Sequence, residues 1–247
     1  MCLIPCHLGY KYKSLTNPDC IKKQSKVDRA QTEFETMLSE ACAKGDIDAA
    51  VLLLADRQLN PADDKNHAVR LACANGHVDV VRLLLADPRV NPGDHDNDAI
   101  QSACANGHAN VVRLILTDHR VNPAVRNNIA IRRACRNGHV DVVRLLLADP
   151  RVNPADKYNE AIQLACEHGH IDVVRLLLTD NYVHPADNCN AAIRWACMNG
   201  HVDVVRLLLA DSRVNPADNN NSAIQVACMN GHVDVVRLLL ADNLVNP

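Results

Sequence analysis

Residues 215–242 read NPADNNNSAIQVACMNGHVDVVRLLLAD, and six earlier stretches repeat that pattern with substitutions. Asn-Pro recurs at Asn60, Asn91, Asn122, Asn153, Asn215 and Asn246, with His184-Pro in the remaining place, always 31 residues apart. Gly45, Gly76, Gly107, Gly138, Gly169, Gly200 and Gly231 keep the same step. Seven units in one register define a repeat array, and every other inference depends on that.

The first half of the unit reads as a short helix. Ile224, Ala227 and Cys228 fall at i, i+3 and i+4, one apolar stripe. Asn221 precedes it, as do Asn66, Asn97, Asn128, Asn159 and Asn190 in the other units, and an asparagine there is expected to cap the first turn through its side-chain oxygen. Asn230-Gly231 closes the helix, since glycine tolerates the left-handed backbone of a helix end. The second half, His232 to Ala241, is apolar nearly all round, broken only by Asp234 and Arg237 on one strip. Such a helix needs partners on several sides, and only the next copy can supply them. Asn-Pro-Ala-Asp then gives turn chemistry.

Helix, turn, apolar helix and loop at this period resemble the ankyrin repeat, through the Ala-Cys-x-x-Gly-His-x-x-Val-Val-x-Leu-Leu-Leu core seen in Ala196 to Leu209. The resemblance covers roughly Phe34 to Pro247 and implies an all-α helix-turn-helix solenoid with short hairpin-like loops. Two departures stand out. The family's Thr-Pro-Leu-His opening is replaced by Ser222-Ala223-Ile224-Gln225 and its relatives, and the unit is shorter than the usual roughly 33 residues. The expected organisation is a tail at 1–24 and an array at 25–247. Within the array, an elongated capping helix and first degenerate repeat span 25–61, followed by repeats at about 62–92, 93–123, 124–154, 155–185, 186–216 and 217–247.

One Phe, one Trp and four Tyr leave a core of Leu, Val, Ile, Ala and Cys, as thin stacked layers require. A net charge of −3 argues against a general nucleic-acid binder, and no apolar run reaches membrane-spanning length. The tail carries Lys11, Lys13, Lys22 and Lys23 against Asp19 and reads as loosely ordered. Val27, Ala30, Phe34, Met37, Leu38 and Ala41 keep helical spacing, the signature of a helix that caps the array's first end. At the other end Leu238 to Leu240 are expected to be partly uncovered, giving a monomer or a weak end-to-end dimer.

Eleven cysteines and twelve histidines invite a metal or redox reading, and their positions oppose it. Cys42, Cys73, Cys104, Cys135, Cys166, Cys197 and Cys228 form one ladder. Stacked helices lie about 8–10 Å apart, beyond the ~7 Å Cα separation a disulfide allows. Each ladder cysteine is therefore expected to be a small buried filler. Unbridged cysteines point to a reducing, intracellular and cytoplasmic setting. The histidines His77, His108, His139, His170, His201 and His232 precede each second helix. The family resemblance implies that they hydrogen-bond backbone within the inter-helix turn. No catalytic constellation and no cofactor motif is present in the sequence, so the expected activity is non-enzymatic.

The units themselves separate constant from varied positions. The second helix hardly changes; the outward side of the first helix does. At the places of His67, Leu71 and Ala74 the later units carry Asp98, Ser102, Ala105; Ile129, Arg133, Arg136; Glu160, Leu164, Glu167; Ala191, Trp195, Met198; and Ser222, Val226, Met229. In ankyrin repeats this side lines the concave face that grips partners, so the resemblance implies a groove for a protein partner. The candidate contacts are Arg126, Arg132, Arg133 and Arg136 in the middle unit, and Tyr158, Trp195, Met198 and Met229 beyond it, because arginine and aromatic residues are enriched in binding hot spots.

Overall fold

A computed structural model describes residues 32–56 and 59–245. Among these residues fourteen helices alternate between two rows, with no strand. The first row holds α1 (32–44), α3 (Asp63–Ala74), α5 (Asp94–Ala105), α7 (Val125–Arg136), α9 (Asp156–Glu167), α11 (Asp187–Met198) and α13 (Asp218–Met229). The second holds α2 (Ile47–Leu54), α4 (Val78–Leu85), α6 (Ala109–Ile115), α8 (Val140–Leu147), α10 (Ile171–Leu178), α12 (Val202–Leu209) and α14 (Val233–Leu240). From α2 and α3 onward each helix packs on its equivalent in the next unit, and first-row helices meet more extensively than second-row helices. The fold is an all-α helix-turn-helix solenoid. The tail and the start of the capping helix, including Val27 and Ala30, lie outside the described residues.

The second-row helices explain the stack. In α4, α8, α12 and α14 the sequence is the same, VDVVRLLL. Both central valines and the middle leucine are fully buried in the interior copies, as at Val204, Val205 and Leu208. A helix with that much apolar surface gains roughly 1.5–3 kcal/mol for each such side chain it removes from water, and only neighbours on both sides can provide the cover. In the last copy Val235 and Leu239 stay buried, Leu238 is half-buried, and Val233 and Leu240 are exposed. The expectation of partial uncovering therefore holds for Leu240, fails for Leu239, which faces back into the stack, and is not met at Leu238, which is half-buried like Leu207 in the interior.

The cysteine ladder is buried from Cys42 to Cys197, while Cys228 in the last unit is exposed. All eight described cysteines are free. Burial pushes the thiols of Cys42, Cys73 and Cys197 up to about 12, and those of Cys104, Cys135 and Cys166 higher still. These groups are protonated fillers at neutral pH.

The inter-helix turn ends as the sequence indicates. His77 donates its amide to the Ala72 carbonyl at 3.0 Å, the long-range bond of a Schellman ending, with Gly76 at φ 79° between them. Gly76 is held to glycine for a second reason: a Cβ there would lie 2.5 Å from the ring of His108 in the following unit.

Candidate partner-binding face

The six first-row segments from α3 onward each carry, directly after their first residue, three consecutive residues in left-handed backbone. They are Asp64-Lys65-Asn66, His95-Asp96-Asn97, Arg126-Asn127-Asn128, Lys157-Tyr158-Asn159, Asn188-Cys189-Asn190 and Asn219-Asn220-Asn221. Right-handed helix starts only after them. Left-handed backbone costs a non-glycine residue roughly 1–2 kcal/mol, so such a run must be compensated by its contacts. The third residue is always asparagine, which tolerates this region better than most.

That asparagine does not cap its own helix, which corrects the reading from sequence. Its side chain reaches across to the next unit. Asn66 Oδ1 accepts the Asn91 amide at 2.7 Å and its Nδ2 donates to Asp94 at 2.9 Å. Asn128, Asn159 and Asn190 repeat both bonds with Asn153 and Asp156, His184 and Asp187, and Asn215 and Asp218. Asn97 keeps the first bond, to the Asn122 amide, but Val125 stands where the others place the aspartate. The histidines also act between units. His77, His108, His139, His170, His201 and His232 each bond through Nε2 to a carbonyl of the preceding first-row helix, at 2.9–3.0 Å. They bond backbone as expected, but 34 residues back instead of within their own turn. A third link joins the loops: Arg89, Arg120, Arg151 and Arg213 each fork onto the aspartate two residues before and donate Nη1 to a carbonyl of the preceding loop. The guanidinium holds Asp87, Asp118, Asp149 and Asp211 below the usual carboxylate range.

With the units locked in this way, the varied side chains occupy one face. The four middle-unit arginines divide into two kinds. Arg132 is buried: Nη1 donates to Glu160 at 2.6 Å, Nε to the Asn127 carbonyl and Nη2 to the Arg126 carbonyl. It therefore holds the left-handed turn and is no free contact. Arg126 is exposed and pairs with Asp96 at 2.6 Å. Arg133 is half-buried and Arg136 exposed, and neither has a carboxylate within ion-pair distance among the described residues. Toward the last units Tyr158, Trp195 and Met229 are 78%, 36% and 84% exposed, and Met198 is half-buried. At the varied positions between them Ala191 is buried and Leu164 half-buried. The face thus runs from two unneutralised guanidiniums to uncovered apolar side chains.

The profile of a family described as "Ankyrin repeats (3 copies)" matches residues 13–96, 38–127, 100–188 and 162–246. The chain belongs to the ankyrin repeat family. A search of curated proteins found no match. Among solved structures, the human ASB11 ankyrin repeat domain is similar in fold, with a TM-score of 0.58 at 20% identity over 78% of this chain and 96% of that one. Ankyrin arrays are generally protein-interaction modules, and their fold is typically non-catalytic. Among the described residues no helix is long and apolar enough to cross a membrane.

One determinant of the site escaped the sequence reading. The residue three after the conserved asparagine's first follower alternates along the array: Arg70, Gln101, Arg132, Gln163, Arg194, Gln225. Every one of them donates to a carbonyl of its own left-handed turn. The alternation, with a period of two units, was visible in the sequence as a strict Arg/Gln exchange.

Proposed function

We propose that this protein is a non-catalytic interaction scaffold that binds a partner protein through the concave face of its ankyrin array. The observation that carries the reading is the contrast between tied and untied arginines. Arg132 and Arg126 are satisfied within the fold, whereas Arg133 and Arg136, one and four residues on from Arg132, have no carboxylate within ion-pair distance among the described residues and share their face with Trp195, Met198 and Met229. Apolar surface next to unpaired guanidinium is the composition of a binding hot spot. The buried, unbridged thiols of the described residues support an intracellular, reducing compartment, and the net charge supports a protein partner over nucleic acid.

The test compares groove with scaffold. Arg133→Glu or Trp195→Ala should abolish capture of the partner while leaving thermal unfolding unchanged. Arg206→Ala, on the exposed strip of α12, should leave capture intact; equal loss from both sites would defeat the reading.

A second reading, an adaptor recruiting a larger assembly through its N-terminal tail or its C-terminal end, draws for the latter on the exposed Val233, Leu240 and Leu244 of the last unit. Light scattering on a size-exclusion column separates the two, since association through that end would respond to Leu240→Glu and not to Arg133→Glu.

A further inference from the structure

Three arginines stand at equivalent places two units apart, and their surroundings can be compared atom by atom. Arg70 donates Nε to the Lys65 carbonyl at 3.1 Å, Nη2 to the Asp64 carbonyl at 3.0 Å and Nη1 to Asp98 at 3.3 Å. Arg132 repeats the set on Asn127, Arg126 and Glu160, at 3.1, 3.1 and 2.6 Å. Arg194 makes the first two bonds, to the Cys189 carbonyl at 3.1 Å and the Asn188 carbonyl at 3.0 Å. Its third donor has no counterpart, because the position that supplies Asp98 and Glu160 holds Ser222. The two backbone bonds fix the guanidinium in the same orientation in all three units. Its remaining Nη1 edge therefore points where a carboxylate sits twice elsewhere in the molecule.

We propose that Arg194 is a carboxylate-recognition point of the groove, taking from the bound partner the acid that the array supplies internally to Arg70 and Arg132. This deepens the function proposed above and rests on it. The neighbouring side chain is Trp195, more than a third exposed, and Met198 lies one turn further along the same helix. The ligand is then an extended protein segment with a carboxylate beside a large apolar residue. Arg133 and Arg136, two units away, stand about 16–20 Å along the groove at 8–10 Å per unit, so a second acid about five to six extended residues distant would meet them. A guanidinium held in place by two carbonyls loses little freedom when a carboxylate joins it, which favours a directed hydrogen bond over loose charge attraction.

The array also provides its own controls. Glutamine at this position keeps the bond to the turn carbonyl five residues before in Gln101, Gln163 and Gln225, so Arg194→Gln retains that link to Cys189 while removing the charged edge together with the bond to the Asn188 carbonyl. Ser222→Glu places the acid in cis, as Glu160 does for Arg132. The experiment selects peptides on the full-length protein from a random peptide library and measures synthetic copies by calorimetry, with free and amidated C-termini. A loss on amidation assigns the carboxylate to the chain end, and a loss on changing one Asp or Glu to its amide assigns it to a side chain. Either change should cost about ten-fold in Kd against the wild type. Arg194→Gln and Ser222→Glu should each cost the same factor, and removing the peptide acid should then have no further effect. If the peptides lose binding to Trp195→Ala yet ignore Arg194→Gln and Ser222→Glu, the carboxylate point is overturned and the groove stands. If they ignore Trp195→Ala and Arg133→Glu as well, both readings fall.

Discussion

The two rows of helices obey opposite rules. Second-row helices are nearly copies of one another, with VDVVRLLL repeated letter for letter in four units. First-row helices keep only the buried stripe, such as Ala134 and Cys135, and change freely on the other side, from Ser102 through Arg133 to Trp195. The difference follows from what each row must bury. A second-row helix is packed between two neighbours and cannot change without disturbing both. A first-row helix presents one strip that is less tightly held by the rest of the fold, with Arg136, Trp195 and Met229 exposed on it, and that strip is free to acquire specificity.

Substitutions can break this contrast, and the largest effect should come from the constant row. Leu208→Ala, fully buried in α12, should destabilise by about 2–5 kcal/mol in denaturant titration. Leu240→Ala removes the same side chain from the exposed edge of the last unit and should stay within about 0.5 kcal/mol. Next come the cross-unit asparagines. Asn159→Ala strands the His184 amide and the Asp187 carboxylate together, and should cost about 1–3 kcal/mol. Asn97→Ala breaks one such bond, not two, and should cost less in the same assay.

A smaller, graded loss should accompany acidification. The folded-state pKa of Asp149 is depressed chiefly by the side-chain bond from Arg151, so its contribution is complete above the unfolded value of about 3.9 and disappears as pH falls through the folded one. His170 is also depressed, by burial, so stability begins to fall once pH drops below about 6.5. Asp149→Asn should flatten the acid limb of a stability–pH curve and leave the limb near pH 6 unchanged. The smallest stability effect belongs to the varied strip: Arg133→Glu should shift unfolding by no more than about 0.5 kcal/mol.

Local chemistry was legible in the sequence and remote chemistry was not. The 31-residue period follows from comparing the copies, and both helices of each unit, the Gly76-type ending and the buried cysteines follow from spacing within one copy. The asparagine was misread because a cap is a local device, whereas Asn66 bonds to residues 25 and 28 positions further on. The histidine was misplaced for the same reason, its acceptor lying 34 residues back. In the candidate site, the exposed Trp195 and Met229 follow from the varied face. Arg132 looked like a contact because neither its burial nor Glu160 is adjacent to it in sequence. Arg194 went unremarked because its significance lies in what Ser222 is not.

Hydrogen–deuterium exchange on the full chain, with and without a library-selected peptide, tests the division of labour most directly. Protection should appear on α7, α11 and α13 around Arg133, Trp195 and Met229, while the amides of α8 and α12 exchange as in the free protein. Protection concentrated on α8 and α12 would contradict the account, because the constant row would then be the surface that binds.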